Sequence, residues 1–273
     1  MIKAAVLGSP ISHSLSPLLH TIAYTELGLE SEYTRIEVKT GELGDFLKNC
    51  GDTWSGFSLT MPLKEEVLEF SDEISPLAAR IRSANTLVQN PFSVWSASTT
   101  DVSGITHALA AHGKDASGDV LIIGGGATAR SAVAACDGVA TRISVMVRSQ
   151  SKVGEISNCV EFSDLDFLEW GDTNIFETAD LVISTTPEFA TDSLVQNFPS
   201  NPTGVFFDVL YKPWPTLALE TWSRFGGQVV DGLDLLIHQA IDQVEIFSGA
   251  KVDRANMAQL LRHHGLKALN LST

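Results

Sequence analysis

The chain has few cysteines, a deficit of positive charge and no long apolar run. Its three cysteines, Cys50, Cys136 and Cys159, are odd in number, stand in no C-x-x-C spacing and have no histidine cluster beside them. That excludes a disulfide framework and a cysteine–histidine zinc site, and no metal centre is expected. Lysine and arginine number 18 against 33 acidic residues, for a net charge of -15. Such a surface repels nucleic acid and anionic membrane, so any local cluster of cations stands out. No stretch reaches the roughly eighteen apolar residues that a membrane helix needs. The opening residues Met1 to Gly8 read as a strand, without the length or cleavage site of a signal peptide. A cytoplasmic protein with neither a nucleic-acid nor a membrane partner is expected.

The most informative stretch is Asp119 to Arg130, DVLIIGGGATAR, where an apolar strand runs into glycines that open a helix. Gly124, Gly126 and Ala129 give the spacing G-x-G-x-x-A, with Gly125, Ala127 and Thr128 completing the loop. The spacing provides a tight turn, a close backbone approach to a pyrophosphate, and a small residue where helix packs on strand. The free N–H groups at that helix start would receive the phosphate charge. About twenty residues later, the strand-like run Arg142 to Val147 should end in Asp or Glu if the chain selected NAD. The acid is missing, and Val147, Arg148, Ser149 and Lys152 occupy the turn. A planar guanidinium, a hydroxyl and an ammonium suit a 2′-phosphate, so NADP is expected in preference to NAD. Ordinary solvated charges beyond a strand are the plainer alternative.

The 273 residues, 44% of them hydrophobic, suffice for two cores. Before the glycines, strand-like runs (Ile2 to Leu7, Tyr33 to Val38, Phe57 to Thr60, Thr86 to Gln89) alternate with helical patterns at Ser16 to Leu27 and Leu63 to Phe70. After them, Ile143 to Val147, Leu181 to Thr185, Val205 to Leu210 and Gln228 to Val230 read as strands of a doubly wound sheet. Helical spacing recurs at Asp101 to His112 and at Gly232 to Phe247. The class is therefore α/β: an N-terminal α/β substrate domain (1–103), a Rossmann-like domain (104–231), and C-terminal helices (232–273) returning to the first. The active cleft is expected between the domains.

Three further clusters carry chemistry. In Gly8 to His20, GSPISHSLSPLLH, Ser14 and Ser16 stand ahead of a helix with Pro17 at its first position. Either serine could cap that helix. Two hydroxyls with free helix N–H groups also make a carboxylate cradle. His13 and His20 read as packing or surface residues. In Phe57 to Lys64, FSLTMPLK, a strand delivers Thr60 and Lys64 to its carboxyl end, where α/β sites lie. A first-turn lysine is ordinarily solvated. Asp101 and Asn85 offer partners, although Asp101 could equally cap its helix.

Taken together these segments resemble the shikimate dehydrogenase family, in unbroken order over nearly the whole chain. The resemblance rests on G-S-P-I-x-H-S-x-S-P-x-x-H, T-x-P-x-K, S-A-N-T-L, T-D-x-x-G, the glycine loop, D-V-x-Y-x-P-x-P-T at Asp208 to Thr216, and D-G-L-x-x-L-x-x-Q-A at Asp231 to Ala240. It implies reversible reduction of 3-dehydroshikimate to shikimate by NADPH, within the shikimate pathway of aromatic amino acid biosynthesis. It implies that Ser14, Ser16 and Thr60 hold the substrate carboxylate. Lys64, Asn85 and Asp101 would face the ring hydroxyls and the reacting carbonyl, with Lys64 and Asp101 catalytic. Tyr211 and Gln239 would complete the pocket. On the cofactor side it implies Gly124 to Ala129, Arg148, Ser149 and Lys152, with Val209 and Gly232 at the nicotinamide end. A small-molecule substrate is the expected partner, and a homodimer stays open.

Four positions depart from the family pattern. Ser58 stands for Asn in N-x-T-x-P-x-K, Thr99 for Asn in N-T-D, Val147 for Asn in N-R-[TS], and Ser184 to Glu188 for N-A-T-x-x-G. None removes a catalytic group. Competing readings are a quinate/shikimate dehydrogenase using NAD, a dehydrogenase of folate-linked one-carbon units, and a catalytically silent NADP-binding regulator. The missing acid at the end of the second strand, the Ser14/Ser16 pair, and the presence of both Lys64 and Asp101 argue against them in turn.

Overall fold

The structure, a computed structural model, describes residues 1–90 and 92–270. By its contacts the chain forms two units, one of residues Met1–Thr100 with Leu236–Thr273, the other of Asp101–Leu235.

The first unit carries β1 (Ile2–Gly8), α1 (Ser16–Glu26), β2 (Ser31–Glu37), α2 (Leu43–Asn49), β3 (Gly56–Leu59), α3 (Leu63–Glu66), β4 (Glu73–Ile74), α4 (Pro76–Ile81), β5 (Thr86–Gln89) and β6 (Trp95–Ser98). Its sheet has the order β2-β1-β3-β5-β6-β4. β1 pairs in parallel with β2 and β3, whereas β5 is antiparallel to both its neighbours. A parallel centre must be covered on both faces, and Ala4 to Leu7 and Phe57 to Leu59 are accordingly buried without alternation. Phe57 sits at the centre of one core, with Leu7, Leu63, Val67, Leu87 and Trp95 around it. The expected helix over Leu63 to Phe70 proves to be α3 followed by a tighter 3-10 turn at Val67–Phe70.

The second unit carries α5 (Asp101–Ala111), β7 (Gly118–Ile123), α6 (Ala127–Cys136), β8 (Ala140–Val147), α7 (Val153–Ser157), β9 (Asp164–Glu169), β10 (Leu181–Ser184), β11 (Val205–Asp208), α8 (Leu217–Arg224) and β12 (Gln228–Val230). All its pairings are parallel, in the order β12-β11-β10-β7-β8-β9. This is the doubly wound arrangement, and the strand order reverses between β7 and β10, where such sheets bind nucleotides. Phe176, Phe198, Phe206 and Trp222 form an aromatic cluster beneath it. Trp222 satisfies its indole N–H on the Gly204 carbonyl, 3.1 Å away.

Two C-terminal helices follow, α9 (Gly232–Ser248) and α10 (Arg254–Ala268). The first turn of α9 belongs to the second unit and the remainder to the first. Among the described residues no helix is long and apolar enough to cross a membrane.

Candidate active site

In the second unit, β7 ends at Ile123 and the chain turns through Gly124 with φ +126°, a conformation L side chains rarely adopt. A Cβ at Gly124 would also strike the hydroxyl of Thr185 after β10, so this glycine is required by the protein's own geometry. Gly126 differs. Its φ is -89° and an added Cβ would meet no atom within 4 Å, so no neighbour in the chain demands glycine there. Open space against the backbone is what a close-lying diphosphate requires. Gly126 occupies the N-cap of α6 with no side chain bonded to the first helical N–H groups. Ala129 is fully buried, a small residue where the G-x-G-x-x-A spacing places one between helix and sheet. These features fit a dinucleotide.

The turn after β8 gathers the cations. The Arg148 guanidinium lies 4.3 Å above the Trp170 ring, and its Nη2 donates to the Ala190 carbonyl at 3.3 Å. Ser149 Oγ accepts the Ser151 N–H and lies 2.9 Å from Ser151 Oγ. The Lys152 stem packs on Gly125, and its ammonium meets Glu155 at 3.2 Å. Glu155 also pairs with the buried Arg130, at 3.1 Å. Two cations thus share one acid at the corner of the glycine loop, with Arg148 held separately on Trp170. Sequence reading missed Arg130, Ser151, Glu155 and Trp170; Arg130, one residue beyond Ala129 in the motif, was the one visible signal.

At the ends of β11 and β12, Val209 and Gly232 are brought together. A Cβ on Gly232 would collide with the Val209 carbonyl. Tyr211 lies in the loop 209–216, which is closed by Thr216 donating to Asp208 at 2.7 Å while it also caps α8 through the Leu219 N–H. Burial raises the Asp208 carboxyl above its ordinary value, opposed by hydrogen bonds from Thr216 and the Leu210 N–H. Asp231 performs the corresponding task for α9, accepting the Leu233 and Asp234 N–H groups and the Trp214 indole.

In the first unit, the expected cap on α1 is corrected. Ser16 is itself the first helical residue and Pro17 the second, so the cap position falls on Leu15, which has no side-chain acceptor. Ser14 Oγ takes the Ser16 N–H at 3.3 Å instead, and both serines are buried. Thr60 and Lys64 follow β3; the Lys64 carbonyl accepts the Ala84 N–H at 2.8 Å, which anchors α3 beside Asn85. Asn85, 1% exposed, donates to Gln239 of α9 at 3.2 Å and accepts the Thr100 N–H at 2.8 Å. Asp101, buried, opens α5 as the first residue of the second unit. His20 is fully buried against the Tyr33 ring, 3.9 Å between centroids, and burial pulls its imidazole down to about 3 with Gln243 opposing. That makes it a packing residue. Burial pushes the Cys136 thiol up to about 12, with Asp137 adding to it, so Cys136 is no nucleophile.

Comparison with known proteins agrees with this layout. Residues 6–87 match the family model of the shikimate dehydrogenase substrate binding domain, and residues 232–262 that of the shikimate 5'-dehydrogenase C-terminal domain. A Prochlorococcus marinus (strain AS9601) protein named shikimate dehydrogenase (NADP(+)) is 31% identical over 264 residues, covering 89% of this chain and 91% of the relative. The crystal structure of Mycobacterium tuberculosis shikimate dehydrogenase superposes with a TM-score of 0.87 at 35% identity, over 96% of this chain and 100% of that one. A Thermus thermophilus shikimate 5-dehydrogenase, solved in complex with NADP(H) and shikimate, has a TM-score of 0.85 at 28% identity, over 96% and 99% of the two chains.

Proposed function

The chain belongs to the shikimate dehydrogenase family, and from that premise we propose that it interconverts 3-dehydroshikimate and shikimate with NADPH, a step of the shikimate pathway, through the residues assigned below. NADPH supplies the hydride when bound, so the protein has to orient two ligands and manage one proton. The Lys64 ammonium gives its proton to the oxygen of the former ketone during reduction and recovers one from solvent; in the oxidative direction its amine takes the proton back. Asp101 accepts a ring hydroxyl's hydrogen bond and fixes the substrate against that lysine. Ser14, Ser16 and Thr60 bind the carboxylate, where the N-terminus of α1 adds its partial positive charge. Asn85, Gln239 and Tyr211 bond the remaining hydroxyls. Gly124 to Ala129 receive the diphosphate and Arg148, Ser149 and Lys152 the 2′-phosphate, while Val209 and Gly232 flank the nicotinamide. The enzyme is cytoplasmic, in keeping with cysteines that are all free thiols. A homodimer stays within this reading, and light scattering on the purified protein distinguishes it from a monomer.

The observation that carries the substrate-side assignment is the bond from the Ala84 N–H to the Lys64 carbonyl, which sets the lysine's helix beside the Asn85–Gln239 pair. The test follows absorbance at 340 nm with shikimate or quinate and NADP or NAD. Shikimate with NADP should give the highest kcat/KM, and Lys64→Ala should lower kcat by about two to four orders of magnitude with the KM for NADP nearly unchanged. A variant with wild-type kcat would exclude Lys64 as the acid.

A further inference from the structure

We propose that Gln243, held by Ser58, is a positioning residue that fixes Asn85 in place, through its backbone carbonyl and through Thr86, and with it the substrate pocket; this rests on the assignment of Asn85 and Gln239 to the substrate. The proposed site explains neither residue. Gln243 lies one turn beyond Gln239 on α9 and is 1% exposed, and Ser58, 4% exposed, is one of the departures from the family pattern. Polar side chains buried this deeply persist when every group is satisfied.

The bonds between them run one way. Tyr33 donates its phenolic proton to Ser58 Oγ at 2.6 Å. Ser58, with that lone pair taken, donates to Gln243 Oε1 at 2.7 Å. The flip of the Gln243 amide is decided at its other end, because the Asn85 backbone carbonyl can only accept and so must face Nε2. Gln243 Nε2 then donates both its protons, to the Asn85 carbonyl and to Thr86 Oγ1, each at 2.9 Å. Thr86, receiving from Gln243, spends its own proton on Asn85 Oδ1 at 2.9 Å. With Oδ1 held, Asn85 Nδ2 faces Gln239 Oε1 at 3.2 Å, and the Gln239 amide nitrogen donates to the Leu236 carbonyl at 2.9 Å.

A carboxamide is nearly symmetric in shape, so packing alone cannot tell its oxygen from its nitrogen; hydrogen-bond partners do so. For Asn85 the Thr100 N–H, a donor only, fixes which atom is Oδ1; Gln243 holds the Asn85 backbone carbonyl and orients the Thr86 hydroxyl that bonds the same Oδ1. Were the relay cut, Asn85 would lose the anchor on its backbone carbonyl and the oriented Thr86 hydroxyl, and its carboxamide would shift against a substrate hydroxyl, weakening binding without removing any group that touches substrate.

Gln243→Met keeps the length of the side chain and removes both donors. It should raise the KM for shikimate about tenfold, with a smaller change in kcat and none in the KM for NADP. Ser58→Ala should raise it about threefold, and the double variant should be no worse than Gln243→Met alone, since both cut one chain of bonds. Gln243→Glu retains the acceptor for Ser58 and can donate only when protonated, so in a His20→Leu background, which removes the imidazole facing residue 243, its KM defect should shrink as pH falls while that of Gln243→Met stays flat. A purely structural role would lower the melting temperature of all variants and leave this pH profile absent. Asn85→Ala is the companion measurement. If it leaves the shikimate KM unchanged, the substrate assignment itself fails and the relay positions nothing. If Asn85→Ala impairs binding while folded Gln243→Met, or Ser58→Ala should the former not fold, binds shikimate normally, the relay is refuted.

Discussion

Acid should destabilise this protein through His20 in a window the structure defines. The imidazole is fully buried, stacked on Tyr33, with Nδ1 3.3 Å from the Tyr24 hydroxyl and Phe247 6.2 Å away, and desolvation lowers its titration from 6.5 to about 3. In the unfolded chain the same group takes up a proton near pH 6.5, so between those values protons bind only the unfolded state and stability falls with pH. The contribution is intact above 6.5 and lost progressively toward 3. At pH 5 the loss relative to pH 7 is about 2 kcal/mol, a large share of ordinary domain stability. Protonation of carboxylates also changes stability in acid, so the wild type alone is uninformative. His20→Leu isolates the effect: urea unfolding of both proteins at pH 5, 6 and 7 should show the gap between them shift in the variant's favour by about 2 kcal/mol across the series. A gap constant to within about 0.5 kcal/mol would mean that His20 titrates alike in both states and that its burial argument is wrong.

Three further outcomes concern the cofactor. Gly232→Ala places a methyl group against the Val209 carbonyl, a backbone atom with little freedom to move; it should cost about 1–3 kcal/mol of stability and raise the KM for NADPH, and an unchanged melting temperature with normal kinetics would refute the fit. Arg148→Ala should raise the KM for NADPH about tenfold or more while sparing NADH. Trp170→Ala, which removes the ring beneath that guanidinium, should raise it a few-fold, on the scale of about 0.5–1 kcal/mol for an exposed cation–π contact; equal NADPH kinetics in wild type and Trp170→Ala would show that the stacking does not position Arg148.

Much of the architecture was legible because it rests on local chemistry. The apolar strand and glycines at Asp119 to Arg130 specify β7, its turn and α6, since only glycine accommodates φ +126° at position 124. Periodicity located α9 to within about a residue of its end at Ser248. Elements lacking such signals were missed. β9, DLDFLE, is an acid-laced edge strand that buries little, and β4 is only two residues long. The start of α1 at Ser16 was legible from periodicity, but its cap was not: the position before it is Leu15, and no serine caps the helix.

The sequence by itself determined the α/β class, the doubly wound sheet, the lack of an acid after β8, and the family with its NADP-dependent chemistry, because strand and helix periods, glycine conformations and ordered motifs are local properties of the chain. Only the tertiary structure decided which way buried amides face and which ions share a partner. Asn85 and Gln239 are 154 positions apart, Ser58 and Gln243 are 185 apart, and Arg130 meets Lys152 through Glu155. Hydrogen-bond direction depends on every neighbour at once, and no window of sequence contains those neighbours.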